Sequence, residues 1–154
     1  MQKLNLPEYP VKTRIGANGK TEVFDEFRKK YVLLSPEEWV RQQFLRYLVN
    51  VKKYPASLIA VEKGLTLNRM QKRFDAVVHN DKGLPVVLIE FKSAEITLEQ
   101  KVFEQIAVYN MQLKVEYLII SNGLQHFCCA VNYEKQEFTF LKEIPEYSEL
   151  IGQQ

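Results

Sequence analysis

The feature that most constrains this chain is a pair of β-rich runs joined by a short turn. Arg73–Asn80 and Pro85–Lys92 flank Asp81–Leu84, which supplies the Asp, Lys and Gly of tight turns. The second run is apolar on both faces from Val86 to Ile89, a pattern typical of a central strand covered on both sides. The sequence therefore predicts a β-hairpin whose second strand lies inside a sheet.

This hairpin is expected to gather two acids and one amine. If Asn80 pairs with Pro85, Asp75 lies directly opposite Glu90, with Cβ atoms roughly 5 Å apart. Because side chains alternate along a strand, Glu90 and Lys92 point to the same face. The three groups are therefore predicted to converge at one end of the hairpin.

Charged groups on such an apolar strand must be paired or must bind something. Two adjacent carboxylates repel each other, and a divalent cation such as Mg²⁺, which prefers oxygen ligands, relieves the repulsion. Lys92 beside the ion could orient a water molecule or stabilise charge on a phosphate oxygen. The alternative is a structural cluster in which Lys92 neutralises both acids. An E-x-K triplet is common by itself, and it is the opposing Asp75 that favours a catalytic site.

Composition excludes several classes of protein. The 154 residues suffice for one domain with a proper core, and the formal net charge of +2 does not by itself indicate a nucleic-acid binder. Cys128 and Cys129 are adjacent, so they cannot form an ordinary structural disulfide with each other, and zinc-type spacing is absent. The N-terminal residues lack the apolar region of a signal peptide, and no apolar run reaches membrane-spanning length. We expect a reducing, cytoplasmic setting.

The remaining patterns predict an α/β (α+β) fold. A hairpin around Gly16–Gly19 is expected to add to a sheet edge, and the mixed segment Leu65–Gln71 is compatible with one long bent strand. Further strands are predicted at Ser57–Glu62, Val115–Ser121, His126–Asn132 and Glu137–Leu141. The strand–helix–strand order from Pro85 to Ser121 predicts a parallel crossover. We expect a single domain, 1–154, made of an N-terminal hairpin or extension (1–27), a core (28–141) and a C-terminal tail or short helix (142–154).

Two helices are predicted from caps and 3.6-residue periodicity. Ser35 and Glu38 form a capping-box pattern for a helix that runs to about Lys53, although Glu38 could instead lean over the acidic patch. Thr97 is expected to cap a second helix from Leu98 to about Leu113. Gln105 and Tyr109 are neighbours one turn apart on that helix, and their spacing alone favours a hydrogen bond on the helix surface.

In this order the elements resemble the PD-(D/E)XK nuclease superfamily, with a restriction-endonuclease-like core of αβββαβ order, a central mixed sheet flanked by two main helices, and extra edge strands. More narrowly, the chain resembles the N-terminal nuclease domain of type I restriction enzyme R (HsdR-type) subunits. The motifs that carry the resemblance are Ser35–Arg41, Arg73–Asp75, Ile89–Lys92, Gln105–Asn110 and Ser121–Gly123. The Q-x-x-x-Y element after E-x-K makes it specific.

The resemblance implies an Mg²⁺-dependent endodeoxyribonuclease, with Mn²⁺ as a substitute. Asp75 and Glu90 would be metal ligands together with the backbone carbonyl of Phe91, and Lys92 would position water or stabilise the transition state. Gln105 and Tyr109 would support the site or touch nucleic acid, and Glu38 matches a first-helix glutamate that often joins the metal shell.

The implied partners are DNA and the restriction–modification or translocase subunits of such enzymes, with no membrane. Type I R subunits continue into a translocase with a G-x-x-x-x-G-K-[ST] loop, and the 154 residues contain no such motif. Two alternatives therefore stay open. One is a catalytically silent nuclease-fold module that binds nucleic acid or a protein partner, and the other is a structural domain that forms a homo-oligomer through an edge strand.

Overall fold

A six-stranded mixed sheet forms the centre of the protein and is covered on both faces. A computed structural model describes residues 1–67 and 69–152. The strands are β1 (Thr13–Ile15), β2 (Thr21–Asp25), β3 (Lys30–Leu33), β4 (Ile59–Leu67), β5 (Met70–His79), β6 (Pro85–Phe91), β7 (Tyr117–Ser121), β8 (His126–Asn132) and β9 (Glu137–Leu141). The helices are α1 (Pro36–Asn50), α2 (Gln100–Met111) and α3 (Tyr147–Ile151), with a 3₁₀ turn at Ala56–Leu58.

The strand order of the main sheet is β4-β5-β6-β7-β8-β9. The β6–β7 pair is parallel and the others are antiparallel, which confirms the predicted crossover through α2. Val86 to Ile89 are all buried, as expected for a central strand. The apolar run thus explains why β6, which carries Glu90, lies inside the sheet.

One helix covers each face. The apolar stripe of α1 packs with alternate residues of β5 and β6, including Phe44 against Phe91. The stripe of α2, centred on Phe103 and Ala107, packs with Val77 and the other residues of the second face. Ser35 caps α1 by accepting a hydrogen bond from the Glu38 amide at 3.0 Å. These packed faces fix the strands that carry the acids.

Three expectations were wrong. The N-terminal hairpin does not extend the main sheet, because β2 pairs with β3 and closes a separate three-stranded sheet. The segment Leu65–Gln71 is not one bent strand, since β4 and β5 pair as an antiparallel hairpin. Helix α2 begins at Gln100 with Glu99 as N-cap, so Thr97 does not cap it.

No helix among the described residues is both long and apolar enough to span a bilayer.

Candidate active site

The β5–β6 hairpin brings Asp75 and Glu90 together as predicted. His79 rather than Asn80 pairs with Pro85, but a register shift between Val78 and His79 restores the expected alignment. Ala76 then lies opposite Ile89, so the next pair in the same register is Asp75 with Glu90. The two carboxyl groups are close enough to share a side-chain hydrogen bond. We call Asp75 and Glu90 the acid pair.

The acid pair is held at the end of β6. The Phe91 amide donates a hydrogen bond of 2.6 Å to Asp75 Oδ2, which fixes that carboxylate against the strand. Only 18% of the Glu90 side chain is exposed. Burial, followed by the negative charge of Asp75, raises the pKa of Glu90 to about 7, against a smaller opposing effect of Lys72. Proximity and burial therefore leave negative charge at this site incompletely neutralised.

Lys72 is a site residue that the sequence interpretation missed. Its Nζ lies 3.1 Å from Glu90 Oε1 and 3.4 Å from Asn110 Oδ1. The same Nζ lies 4.8 Å from the centre of the Phe74 ring and 5.1 Å from that of the Tyr109 ring. Tyr109 therefore reaches the site through Lys72.

Strand periodicity explains why Lys72 was missed. Regular alternation would place residues 72 and 75 on opposite faces, but Phe74 packs on the same face as Val77. Glu62, between the partners of Phe74 and Ala76, has a left-handed φ of 54°. The alternation is therefore broken at Asp75, and a cation three residues before an acid on a β-rich run was the only available signal.

Lys92 lies at the same end of the sheet as the acid pair. Its amide donates to the Ser121 carbonyl at 2.9 Å, which anchors the backbone, while its side chain is exposed. Burial and the charge of Asp75 raise the pKa of Glu37, and Lys92 acts in the opposite direction. Glu37, Asp75 and Lys92 thus interact electrostatically, which brings the first turn of α1 to the site.

The carboxylate of Glu38 lies in a cluster of arginines. Its Oε1 accepts a hydrogen bond of 2.8 Å from Arg28, and its Oε2 accepts one of 3.0 Å from Arg41. Arg28 also pairs with Asp25, and Arg41 reaches Glu62 at 3.2 Å. We call this set the arginine cluster; its members are Asp25, Arg28, Glu38, Arg41, Glu62 and Arg73.

The contacts of Glu38 in the arginine cluster differ from the capping box expected from the sequence. The Glu38 side chain pairs with Arg28 and Arg41 instead of closing a capping box on Ser35. Burial lowers the pKa of Arg41, but the hydrogen bonds and negative charges of Glu38 and Glu62 together more than offset this, so the pKa is raised. Burial raises the pKa of Glu62, and Arg41 and Arg73 reverse that into a net decrease. In this cluster the opposite charges are matched.

Gln105 and Tyr109 both lie on the exposed side of α2. No hydrogen bond within the described parts of the chain joins them. Tyr109 is 45% exposed, and the centre of its ring lies 5.1 Å from Lys72 Nζ. The hydrogen bond predicted from their spacing is absent. The four-residue spacing therefore places both side chains on the same face of α2 without joining them.

The donor chemistry of the acid pair fits a hard divalent cation. Mg²⁺ is commonly held by one or two carboxylates and keeps several waters. Asp75 and Glu90 supply two carboxylates, and the Phe91 carbonyl follows the amide that already binds Asp75. Over residues 1–67 and 69–152, no group of three or more His, Cys, Asp or Glu side chains is arranged to hold a metal ion. The fit therefore rests on two acids, with water completing the shell.

Comparisons with known proteins agree with the fold. A family profile described as type I restriction enzyme R protein N terminus (HSDR_N) matches residues 36–145. One similar solved structure is a fragment described as an HsdR subunit of a type I restriction enzyme from Vibrio vulnificus YJ016, with a TM-score of 0.55 and 18% identity. The similarity covers 77% of this chain and 25% of that one, so this chain spans about a quarter of its length. No curated protein sequence matches.

Proposed function

The chain belongs to the type I restriction enzyme R protein N-terminal family, and from this premise we propose that it is a nuclease domain that hydrolyses DNA phosphodiester bonds with Mg²⁺. Asp75 and Glu90 would hold the ion, with the Phe91 carbonyl as a third ligand, and Mn²⁺ would substitute. In the whole protein this domain would act together with restriction–modification or translocase subunits.

The observation that carries the proposal is the acid pair. The two carboxyl groups face each other across the β5–β6 hairpin, and the pKa of Glu90 is raised to about 7 by burial and by Asp75. Such an arrangement destabilises the folded protein unless a cation is supplied, and perturbed carboxylates of this kind cluster at functional sites. A bound Mg²⁺ would supply positive charge beside the phosphate as negative charge develops there.

The chain's own residues divide the remaining work. Lys92, exposed at the end of β6, would place its ammonium beside the scissile phosphate and stabilise developing negative charge on its oxygens. Glu37 would orient water, since its carboxylate interacts electrostatically with both Asp75 and Lys92. Water oxygen would form the new bond to phosphorus as the bond to the leaving oxygen breaks.

A second candidate function has one observation in its favour. Lys72 Nζ lies 3.1 Å from Glu90 Oε1. A metal ion bound to the same carboxylate would compete with this ammonium group. A domain in which Lys72 keeps this place permanently would bind nucleic acid or a protein partner without cutting.

A plasmid-nicking assay tests the proposal. The wild-type chain should convert supercoiled DNA in Mg²⁺ or Mn²⁺ and not in EDTA, and Asp75→Asn, Glu90→Gln and Lys92→Ala should each lose about 10²-fold or more. The matched control is Lys142→Ala, an exposed lysine next to the opposite edge strand β9. Equal cutting by Lys92→Ala and wild type would identify a contaminating nuclease and contradict the proposal.

A further inference from the structure

The hairpin that leads into Asp75 extends past its neighbour in the sheet. Strand β6 pairs with β5 only between Ala76 and His79. The β4–β5 pairing continues from Lys63 opposite Phe74 to Leu67 opposite Met70. We call Lys63–Leu67 and Arg69–Arg73 the projecting arm. It leaves the sheet at the end where the acid pair lies.

The projecting arm concentrates positive charge. Residues 63–73 contain four of the 21 basic residues of the chain and none of the 19 acidic ones. The arm therefore carries a formal charge of +4, and the rest of the chain sums to −2. The modest overall charge of +2 conceals this asymmetry.

Two of the four cations fix the arm, and two are free to act. Lys72 binds Glu90, and Arg73 binds Glu62 at 3.0 Å. Lys63 and Arg69 are exposed and form no ion pair with any described residue. The contacts of Lys72 and Arg73 thus hold the arm in position, while Lys63 at its base and Arg69 at its tip face solvent.

One face of the arm is uncovered. Leu65 packs against the cluster beneath α2, whereas its neighbour Gly64 lies opposite Arg73 on the other face. No heavy atom of the described residues lies within 4 Å of the position that a Cβ on Gly64 would take. The Arg73 side chain is 69% exposed on that face. A large ligand could therefore approach the backbone of the arm directly.

The length of the arm suits a polyanion. Strand residues rise about 3.3 Å each, so the part of β5 from Met70 to Asp75 spans roughly 17 Å. This distance corresponds to about five base steps of duplex DNA, whose phosphates repeat every ~3.4 Å along each strand. Strand alternation puts Lys63 on the face of Leu65 and Arg73 on the face of Gly64, so a phosphate backbone that passes the arm would meet Arg73 along one face, Lys63 at the base and Arg69 at the tip.

We propose that the projecting arm binds the sugar–phosphate backbone of duplex DNA and holds it beside the acid pair. This rests on the proposed nuclease function for its choice of ligand. The contacts are charge-based and independent of sequence, so they determine affinity and position and leave base specificity to other parts of the enzyme.

Salt-dependent binding tests the arm directly. Fluorescence anisotropy of a short labelled duplex in EDTA measures affinity without cleavage. Lys63→Gln/Arg69→Gln should weaken binding roughly five- to tenfold at low salt and reduce the slope of log K against log salt by about 2. The matched control, Lys135→Gln/Lys142→Gln, removes the same charge near the β8–β9 edge and should behave as wild type.

Two further measurements separate this proposal from the proposed function. The arm variant should melt within about a degree of wild type and take up Mn²⁺ unchanged, because neither residue touches the acid pair. Wild-type affinity and slope in the arm variant, or an equal loss in the control, would overturn the arm proposal. DNA binding that depends on the arm, without Mn²⁺ uptake, would support the DNA-binding role of the arm and contradict the proposed nuclease function. Mn²⁺ uptake, with DNA binding that does not depend on the arm, would support the nuclease function and contradict the role of the arm.

Discussion

Carboxylates are buried in both the arginine cluster and the acid pair. In the arginine cluster their desolvation is compensated by opposite charges, whereas in the acid pair it adds to the repulsion between two carboxyl groups. In the arginine cluster every acid meets a guanidinium, and the pKa of Glu62 falls in spite of burial. In the acid pair a carboxyl group meets another carboxyl group, and the pKa of Glu90 rises to about 7. Arginine is always charged and matches carboxylate geometry, whereas lysine is a point charge that is more easily displaced.

This difference distinguishes acids whose charge stabilises the fold from acids whose charge remains available to a ligand. An acid held by two arginines has little capacity left for a ligand, so Glu38 stabilises the contact between α1 and the N-terminal sheet. An acid pair in which Glu90 pairs with a single lysine, Lys72, stays unbalanced, and a divalent cation would balance it. Glu37 and Glu38 are adjacent in α1, but Glu38 belongs to the arginine cluster, whereas Glu37 interacts with Asp75 of the acid pair.

The largest expected effect is the loss of the central acid of the arginine cluster. Glu38→Gln should lower the free energy of unfolding by about 3 kcal/mol, because Arg28 and Arg41 would keep buried charge without full compensation. Urea denaturation measures it. The neighbouring Glu37→Gln is the matched control and should change stability by less than about 0.5 kcal/mol. Equal costs for the two variants would remove the distinction.

The same change in the acid pair should act with the opposite sign. Glu90→Gln should raise the free energy of unfolding at pH 8 in EDTA by roughly 1–3 kcal/mol, because it removes a carboxylate whose ionisation is disfavoured by burial and by Asp75. Urea denaturation in EDTA checks this. A variant less stable than wild type would indicate that Glu90 is a structural residue.

The pH dependence sharpens the comparison. The pKa of Glu90 is about 7 in the folded state and near its ordinary value of 4.5 in the unfolded state. The folded state therefore binds more protons between these values, so this group makes stability fall as pH rises from 4.5 to 7. Subtracting the Glu90→Gln profile from that of wild type should isolate this fall.

Glu62 provides the contrasting profile. Its pKa is lowered in the folded state, so its contribution is present above its ordinary pKa and is lost as pH falls through the folded value. A Glu62→Gln difference profile should therefore slope the other way, with a small amplitude because the side chain is partly exposed. Profiles of the same sign would contradict the assignment of the two regions.

The smallest expected effect concerns Lys72. In Lys72→Gln the pKa of Glu90 should rise further, since the ammonium lowers it at 3.1 Å. At a pH where Glu90 is ionised, Mn²⁺ affinity should increase by roughly two- to fivefold, because a competing cation is gone. Calorimetric titration of the variant beside wild type measures the change. Weaker Mn²⁺ binding in the variant would mean that Lys72 supports the ion.

The hairpin and the acid pair could be predicted because their signals are local. Turn residues fixed the β5–β6 loop, alternation fixed the facing pair, and apolar content placed β6 in the interior. His79 rather than Asn80 pairs with Pro85, but the register shift next to the turn keeps Asp75 aligned with Glu90 as predicted. The parallel β7 followed from the length of the connection through α2.

The surroundings of the pair depended on tertiary packing and could not be predicted in the same way. Consecutive helix residues point about 100° apart, so the docking of α1 decides whether Glu37 or Glu38 faces the site. The i,i+3 spacing of Glu38 and Arg41 was a signal for the arginine cluster. Lys72 was hidden by the break in strand alternation at Asp75. The separate N-terminal sheet depended on a β2–β3 pairing.

The most direct test is calorimetric titration with Mn²⁺ at pH 8, with wild type, Asp75→Asn and Glu37→Gln measured side by side. We expect saturable binding of Mn²⁺ to wild type, loss of that binding in Asp75→Asn, and its survival in Glu37→Gln with a modest decrease in affinity. Identical heats for wild type and Asp75→Asn, or none in wild type, would contradict the claim that these acids form a metal site.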